Sequence, residues 1–591
     1  MLHHILKYAE TRGLAAEVGF SERPLKWLIA FDDRGENPEV IPLGDDKKGQ
    51  LQAGCPHAGT KAQGKDGAHF LVDKLSTVIL YQGTEVPTLI TPKFETFVDF
   101  LQRGSPFMQT LSTAANALSS PANRLTICKK LKHLNAKKGD FATLRIGPVS
   151  LVDAPNWHDW WRNEFRIQRS SPVDQIGKKK KGNSFKMRCL ITGNLVTPVE
   201  RHEGKIQGLK GVGGRGGDSL ISFDKDAYRS YGLVNAFNAA TSQETAKVYV
   251  TALNDLLKKH RVSLGNSYIV YWFKQAIEGT ENDPLSWIQT SGEKEFADAM
   301  DQVTKILESI STGRRPDLLT NEFYAMLVSG APGRVMVRDW HEGPLRELIL
   351  SLQAWFDDLA ITSISGDKVA KWSSFERIVT ALLPLKKFSQ EYADWIKPIG
   401  AFSRVFWRAA ICREPFPQAV LGRIVPLLAS HMLALAEEER RRPSERSQDY
   451  PALLNLVYRR MALIKAYFIR KGDDNMKPYL NPEHPHSAYH CGRLLAVFAR
   501  LQRAALGDVG AGVVQRYYTA ASQTPGLILG RLAANAKNHL GKLESGQFDW
   551  EDQIAEIMGR IKDVVPRTLT LEEQSLFALG YYQQIASLNA G

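Results

Sequence analysis

From Pro344 onward the apolar residues recur at helical spacing, and this pattern constrains the fold more than any single motif. Leu453, Val457, Met461, Ile464 and Phe468 fall on one helix face. Leu494, Phe498, Leu501 and Ala505 fall on another, and Trp550, Ile554, Ile557, Met558 and Ile561 form a third stripe. Pro525 suits the first position of a helix, and Thr570 with Glu573 has capping-box spacing. Such helices, joined by short connections, bury their stripes against one another. Residues 452–591 are therefore expected to form an antiparallel bundle. Residues 344–436 read as a helical connecting region. Residues 437–451, within the charged, apolar-poor run AEEERRRPSERSQDYP, read as a linker.

The pattern upstream is different. Leu2–Thr11 suits a helix, and Leu25–Phe31 with Val40–Leu43 suits a hairpin around Asp32-Asp33-Arg34-Gly35. Phe94–Arg103, Ser120–Leu134, Ser242–His260 and the acidic stretch Glu293–Ser309 have helical spacing. Tyr268–Phe273 reads as a buried strand. Phe323–Val328 and Arg334–Arg338 read as a strand pair turning at Ser329–Gly333. The expectation is an α+β chain, with a mixed α/β N-terminal body over residues 1–343 followed by the helical bundle. A length of 591 residues is ample for several domains.

The formal net charge is +13, and its placement is informative. Between Pro121 and Arg215 there are 20 Lys or Arg against 7 Asp or Glu, so this window alone matches the excess of the whole chain. A local excess of this kind suits a surface that grips a polyanion. Within it, Lys178, Lys179, Lys180 and Lys181 lead into a strand-like run, Phe185–Ile191, and a turn at Thr192-Gly193-Asn194. A glycine-dense loop, Gly208–Gly217, follows, and Ser219–Phe223 reads as a second strand. Glycines let a backbone approach a ligand closely with its N–H groups outward. Lys205, Lys210, Gly213, Gly214, Arg215 and Ser219 are thus candidate contacts to a phosphate backbone. A solvated loop accounts for the glycines alone about equally well. Gly211–Gly216 fits G-x-G-x-x-G by letter, but a strand-like run follows where a dinucleotide site needs a helix, and no P-loop motif occurs. Arg493, Arg500 and Arg503 share one helix face beside an apolar stripe. They form a candidate rail for a separated strand, with a solvated face as the plainer reading.

Other chemistry is sparse. Five widely spaced cysteines without a CxxC pair point to a reduced, cytoplasmic chain. The N-terminus carries charges throughout, unlike a signal peptide, and no uncharged run approaches the roughly 18–20 residues of a membrane span. His484, His486, His490 and Cys491 form the densest His/Cys group, in a spacing that matches no common zinc pattern, so no metal or cofactor is assigned. His158-Asp159 resembles the His-Asp pair of metal nucleases but lacks a supporting ligand pattern. Trp157, Trp160 and Trp161 are residues that can stack on bases, although core packing is their commoner use. A binding protein leads. A metal-dependent nuclease using His158 and Asp159, and a sequence-independent RNA-binding scaffold, are its rivals.

Several longer stretches resemble the large subunit of the type I-C CRISPR interference complex (Cascade). They are Cys189–Gly193 (CLITG), Ser219–Gly232 (SLISFDKDAYRSYG), Asn238-Ala239, Ala252-Leu253-Asn254 and Phe323–Trp340 (FYAMLVSGAPGRVMVRDW). The most specific are Ala462–Ala466 (ALIKA), Ala488–Gln502 (AYHCGRLLAVFARLQ) and Arg516–Pro525 (RYYTAASQTP). The loop departs from the family's usual serine-rich form, reading Gly-Gly-Arg-Gly-Gly-Asp, with Asp224 where Asn is common. The resemblance implies a non-catalytic subunit at the 5′ end of a guide RNA. Such a subunit reads the protospacer-adjacent motif in target duplex DNA, helps open the duplex and stabilise the R-loop, and supports recruitment of a helicase–nuclease alongside the other Cascade subunits. It also implies a small subunit made from an internal start, for which Met461 and Met476 are the candidates.

Overall fold

The computed structural model describes residues 1–14, 17, 19–44, 49–59, 62, 64–169, 186–202, 204–223, 225–277, 285, 305, 320–370, 374–386, 389–507, 509–543, 545–561 and 564–590. The chain is α+β. It divides into two compact units, Met1–Gln207 with Gly216–Asp255, and Gly208–Arg215 with Leu256–Gly591.

The first unit begins with helix α1 (Leu2–Thr11) and strands β1 (Phe20–Leu25), β2 (Trp27–Phe31), β3 (Glu39–Pro42), β4 (Gln50–Pro56) and β5 (Asp73–Lys74). Helices α2 (Leu75–Val78), α3 (Pro92–Gly104), α4 (Thr110–Ser119) and α5 (Pro121–His133) follow. Next come β6 (Phe141–Ile146), β7 (Val149–Ser150), α6 (His158–Arg169), β8 (Met187–Arg188), β9 (Leu195–Val196) and α7 (Gln243–Lys259). The main sheet has the order β3-β2-β6-β5, with β7 on β6, and β2 runs parallel to β6. The expected hairpin is the antiparallel pair β2–β3. Helix starts follow local chemistry. The Thr91 hydroxyl accepts the Phe94 N–H ahead of Pro92, and Ser120 does the same for Asn123 ahead of Pro121. Trp157 and Trp161 are fully buried. Their indole N–H groups donate to Leu151 O and Gly19 O, each at 2.7 Å, so these two rings are core.

Two strand readings change. Among the described residues of Phe185–Ile191, only β8 is a strand. Ser219–Phe223 is not a strand; Asp218, just before it, forms an isolated bridge with Ile206. The run Ser-Leu-Ile-Ser-Phe lacks the strict alternation that would let one face be buried while the other stays wet.

The second unit contains an antiparallel sheet of β10 (Arg261–Leu264), β11 (Ser267–Phe273), β12 (Glu322–Ala331) and β13 (Arg334–Pro344), in that order. Ile269, Tyr271, Phe323, Ala325 and Leu327 alternate along β11 and β12 and join one apolar core with α8 (Leu345–Leu359). The β12–β13 turn is tighter than the expected Ser329–Gly333. Ser329, Gly330 and Ala331 still pair with Met336, Val335 and Arg334, leaving Pro332-Gly333 as the loop. The short pair β14 (Ile361–Thr362) and β15 (Val369–Ala370) comes next. It is followed by α9 (Phe375–Thr380), α10 (Tyr392–Ile396), α11 (Ser403–Cys412), α12 (Ala419–Arg440) and α13 (Tyr450–Lys471). The last helices are α14 (Ser487–Leu506), α15 (Val513–Gln523), α16 (Pro525–Leu540), α17 (Gln547–Arg560) and α18 (Leu571–Ala590).

Among the described residues, α12 alone is long and apolar enough to cross a membrane by length and composition. Its Val420, Leu421, Ile424, Leu428, Met432 and Leu435 are buried in the core shared with α13, α15 and α18. At the end of α12 the Glu438 carboxylate accepts the Ser447 N–H at 2.8 Å and pairs with Arg441 at 2.9 Å. At the start of α18 the Thr570 N–H donates to Glu573 Oε2 at 2.7 Å, and the Glu573 N–H to Thr570 Oγ1 at 3.4 Å, a capping box. Helices α14 and α18 approach closely because each offers a glycine to the other. A Cβ on Gly492 would lie 1.9 Å from Phe577 O, and one on Gly580 would lie 2.0 Å from Tyr489 O.

Candidate nucleic-acid interface

The glycine loop 208–215 belongs to the second unit, where its glycines serve packing. Leu209 and Val212 are buried, and the turn they flank contacts β12. A Cβ on Gly211 would lie 2.6 Å from Tyr268 Oη, and one on Gly213 would lie 2.8 Å from Gly330 O. Conversely, a Cβ on Gly330 would lie 2.1 Å from Gly214 N. Gly213 also has φ 94°, which favours glycine. Gly213 and Gly214 thus face the end of β12, backbone against backbone. The result is a clamped ridge.

Lys210 and Arg215 remain exposed on this ridge. Arg261, at the start of β10, donates to Gly208 O at 3.3 Å and lies 4.8 Å over the Tyr268 ring. At the β12–β13 turn, Arg334 pairs with Ala331, next to Gly330. Exposed Arg338 donates to Ser329 Oγ at 2.8 Å. Arg261, Arg334 and Arg338 lie outside the basic window and carry no motif. Only the strand register places them beside the loop.

Lys205 and Ser219, of the first unit, are brought together, with Lys205 Nζ donating to Ser219 Oγ at 2.7 Å. The Ile206–Asp218 bridge between them holds both. The Asn254 side chain braces the segment, accepting the Gln207 N–H at 2.8 Å and donating to Lys205 O at 3.0 Å. Lys178, Lys179, Lys180 and Lys181 lie outside the described residues, as does the acidic stretch Glu293–Ser309 apart from Lys305.

The three arginines of α14 do not share a surface. Arg493 is buried. It donates to Gln584 Oε1 at 2.9 Å, to Glu556 Oε2 at 2.8 Å and to His490 Nδ1 at 3.1 Å. Arg500 is half-buried and Arg503 exposed. With Arg440, Glu439, Gln502 and Tyr581 they line a cavity of about 80 Å³. Burial pushes the Glu439 carboxyl up, against the opposing pull of Arg446, Arg503 and Arg500.

The His/Cys group is committed to local hydrogen bonding and packing. His490 Nε2–H donates to His484 O at 2.6 Å, and His484 Nδ1 accepts the His486 N–H at 3.2 Å. His486 Nδ1 accepts the Ala488 N–H, capping α14. Burial pushes the Cys491 thiol up to about 12 and His484 down to about 4. Among the described residues, no three His, Cys, Asp or Glu side chains gather as a metal site. The His158 ring packs against Trp157 and Phe20 at 4.2 and 5.3 Å, while Asp159 is exposed and pairs with Arg162. The two side chains therefore sit in unlike surroundings.

No curated protein matches the chain. The family model of the CRISPR-associated protein (Cas_Csd1) matches residues 3–588, a span that includes both compact units and every residue of the basic ridge. With nearly its whole length accounted for in this way, the chain belongs to the Cas_Csd1 family of CRISPR-associated proteins and is a Cascade large subunit.

Proposed function

We propose that this chain is the non-catalytic large subunit of a type I-C surveillance complex. It reads the protospacer-adjacent motif in target duplex DNA, helps open the duplex, stabilises the R-loop and supports recruitment of a helicase–nuclease. One observation carries the reading: Lys210 and Arg215 stand on a backbone that Gly213, Gly214 and Gly330 clamp to the sheet, with Arg261 of β10 bonded to the same loop. A clamped ridge meets a phosphate backbone without first losing loop entropy. Phosphate contacts of this kind set register, and base-edge contacts add sequence choice. Pairing with the guide reads the rest of the target. The unlike surroundings of His158 and Asp159 lend the nuclease alternative no support.

Helix boundaries favour Met476 as the internal start of a small subunit. Met461 is buried in the middle of α13, so a start there would cut that helix. Met476 lies between α13 and α14 and leaves α14 to α18 whole.

The test is target binding by the guide-loaded complex, with and without this chain. Duplexes share one protospacer and differ only in the flanking base pairs. Discrimination among flanks is expected to vanish without the chain. If it survives, the reader lies elsewhere and the chain is a scaffold.

A further inference from the structure

The turn Ser230–Leu233 of the first unit is built against residue preference. The Leu233 N–H donates to Ser230 O at 2.8 Å, and the central residues Tyr231 and Gly232 have φ of 49° and 74°. Positive φ at both centres is the type I′ arrangement, which selects Asn, Asp or Gly. Gly232 suits it, whereas a bulky side chain at Tyr231 is strained. Elsewhere among the described residues, such positions have a local reason. Asn37, Asn135 and Asn235 tolerate the conformation, Arg413 closes α11, and Leu71 and Leu80 gain full burial. Tyr231 has no such return, because it is 100% exposed.

The turn is also braced. The Asn238 side chain donates to Leu233 O at 3.2 Å and to Asn235 O at 3.1 Å. Asn235 in turn donates to Glu200 Oε1 at 2.8 Å, and the Ala236 N–H donates to Glu200 O at 3.0 Å. Exposed cations stand along the same segments, at Arg201, Lys225 and Arg229, the last paired with Asp226 at 2.8 Å. A fixed base, a strained tip and an aromatic ring without a neighbour among the described residues describe a side chain held out for a ligand.

We infer that Tyr231 is a stacking platform for a nucleobase. An aromatic face accepts any base, and the flanking cations suit the adjoining phosphates. The inference rests on the nucleic-acid role proposed above. The base can come from the guide RNA or from the target DNA.

The test uses the assembled complex with the Tyr231→Asn and Tyr231→Phe variants. Guide loading is measured without DNA. Target binding is measured at saturating guide, with 2-aminopurine in the flanking base pairs to report stacking. Asparagine suits the turn, so Tyr231→Asn is expected to raise the Tm of the chain by about 1 °C or more. It is also expected to weaken one of the two binding steps by about fivefold or more. Tyr231→Phe keeps the ring and is expected to bind like the parent. Loss in the guide arm assigns a guide base, and loss in the target arm assigns a target base. Unchanged affinity in both arms overturns the platform, as does a lower Tm for Tyr231→Asn or equal loss with Tyr231→Phe. If the parent complex itself fails to discriminate flanks, the motif-reading proposal fails. If the parent discriminates and Tyr231→Asn matches it, only the platform fails.

Discussion

The helical bundle and the basic ridge both carry arginines close to glycines, yet they use the charge in opposite ways. In the bundle three arginines are taken up by the fold. Arg493 is clamped by Gln584, Glu556 and His490. Arg460 donates to Ala381 O and Leu383 O, and Arg470 pairs with Asp358 while lying 5.5 Å over Trp355. On the ridge, Lys210, Arg215 and Arg338 stay exposed. The glycines, by contrast, do the same work in both places, letting backbones meet where a Cβ would collide. Basic residues in a sequence are therefore not yet a binding surface. The surface is what remains after the fold has used the charge it needs.

The largest effect is expected at the glycines of the bundle. A side chain at Gly580 meets the Tyr489 carbonyl at 2.0 Å and other backbone atoms of that residue, none of which can swing aside. Gly580→Val is expected to lose about 4 kcal/mol or more of stability, read as a fall in the urea midpoint. A loss under about 1 kcal/mol would mean that the two helices separate at little cost, and that the glycine pair is not what holds them close.

Arg493→Met comes next. It strands the Glu556 carboxylate and two neutral acceptors, Gln584 and His490. Breaking a buried pair costs about 3–5 kcal/mol. Glu556 is 37% exposed and can turn toward water, so about 2–3 kcal/mol is expected. Arg503→Met, nearly three turns further along the same helix, is expected to change stability by less than about 0.5 kcal/mol. Equal losses from the two would erase the distinction between structural and surface charge.

That distinction was only partly legible from sequence. Helical stripes, the β2–β3 hairpin, the buried strand near Tyr268 and the capping box at Thr570 are local patterns, and the structure contains them. Arg493, Arg500 and Arg503 do belong to one helix. However, residues 488–498 of α14 are buried on every side, so the face beside the apolar stripe is interior for its first turns. A helical wheel has no knowledge of how many neighbours a helix has. From sequence the glycine loop reads as facing a ligand because its partner, Gly330, lies on a strand far along the chain. Arg261, Arg334 and Arg338 carry no sequence signal for the same reason, since only strand register brings them to the loop.

Acid acts on the bundle through a buried histidine. His484 is 3% exposed, and burial pushes its pKa down to about 4, opposed by Asp473 and reinforced by His490 and His486. Below the ordinary histidine pKa the unfolded chain takes up a proton that the folded bundle refuses. Stability is therefore full above about pH 6.5 and is lost as the pH falls toward 4. At pH 5 this one residue accounts for about 2 kcal/mol. Urea midpoints at pH 7.5 and pH 5 measure the loss, and the difference is expected to shrink in His484→Gln. If the pH dependence is the same in parent and variant, His484 is not the group responsible.

The smallest expected effect on stability is at the ridge, and there a null result is informative. Lys210 is exposed on a turn whose shape is set by Leu209, Val212 and the glycines, so its ammonium contributes nothing to the clamp. Lys210→Met is expected to leave the urea midpoint within about 0.5 kcal/mol of the parent. Binding should respond differently. If Lys210 neutralises one phosphate of the target duplex, its removal flattens the plot of log affinity against log salt by about 0.9, with a weaker affinity at low salt for every flank alike. A uniform loss with an unchanged ranking of flanks assigns Lys210 to positioning, and a changed ranking makes the ridge part of the reader. Should Lys210→Met instead destabilise the protein as much as Arg493→Met, the ridge cations would be structural too, and the comparison between the two regions would collapse.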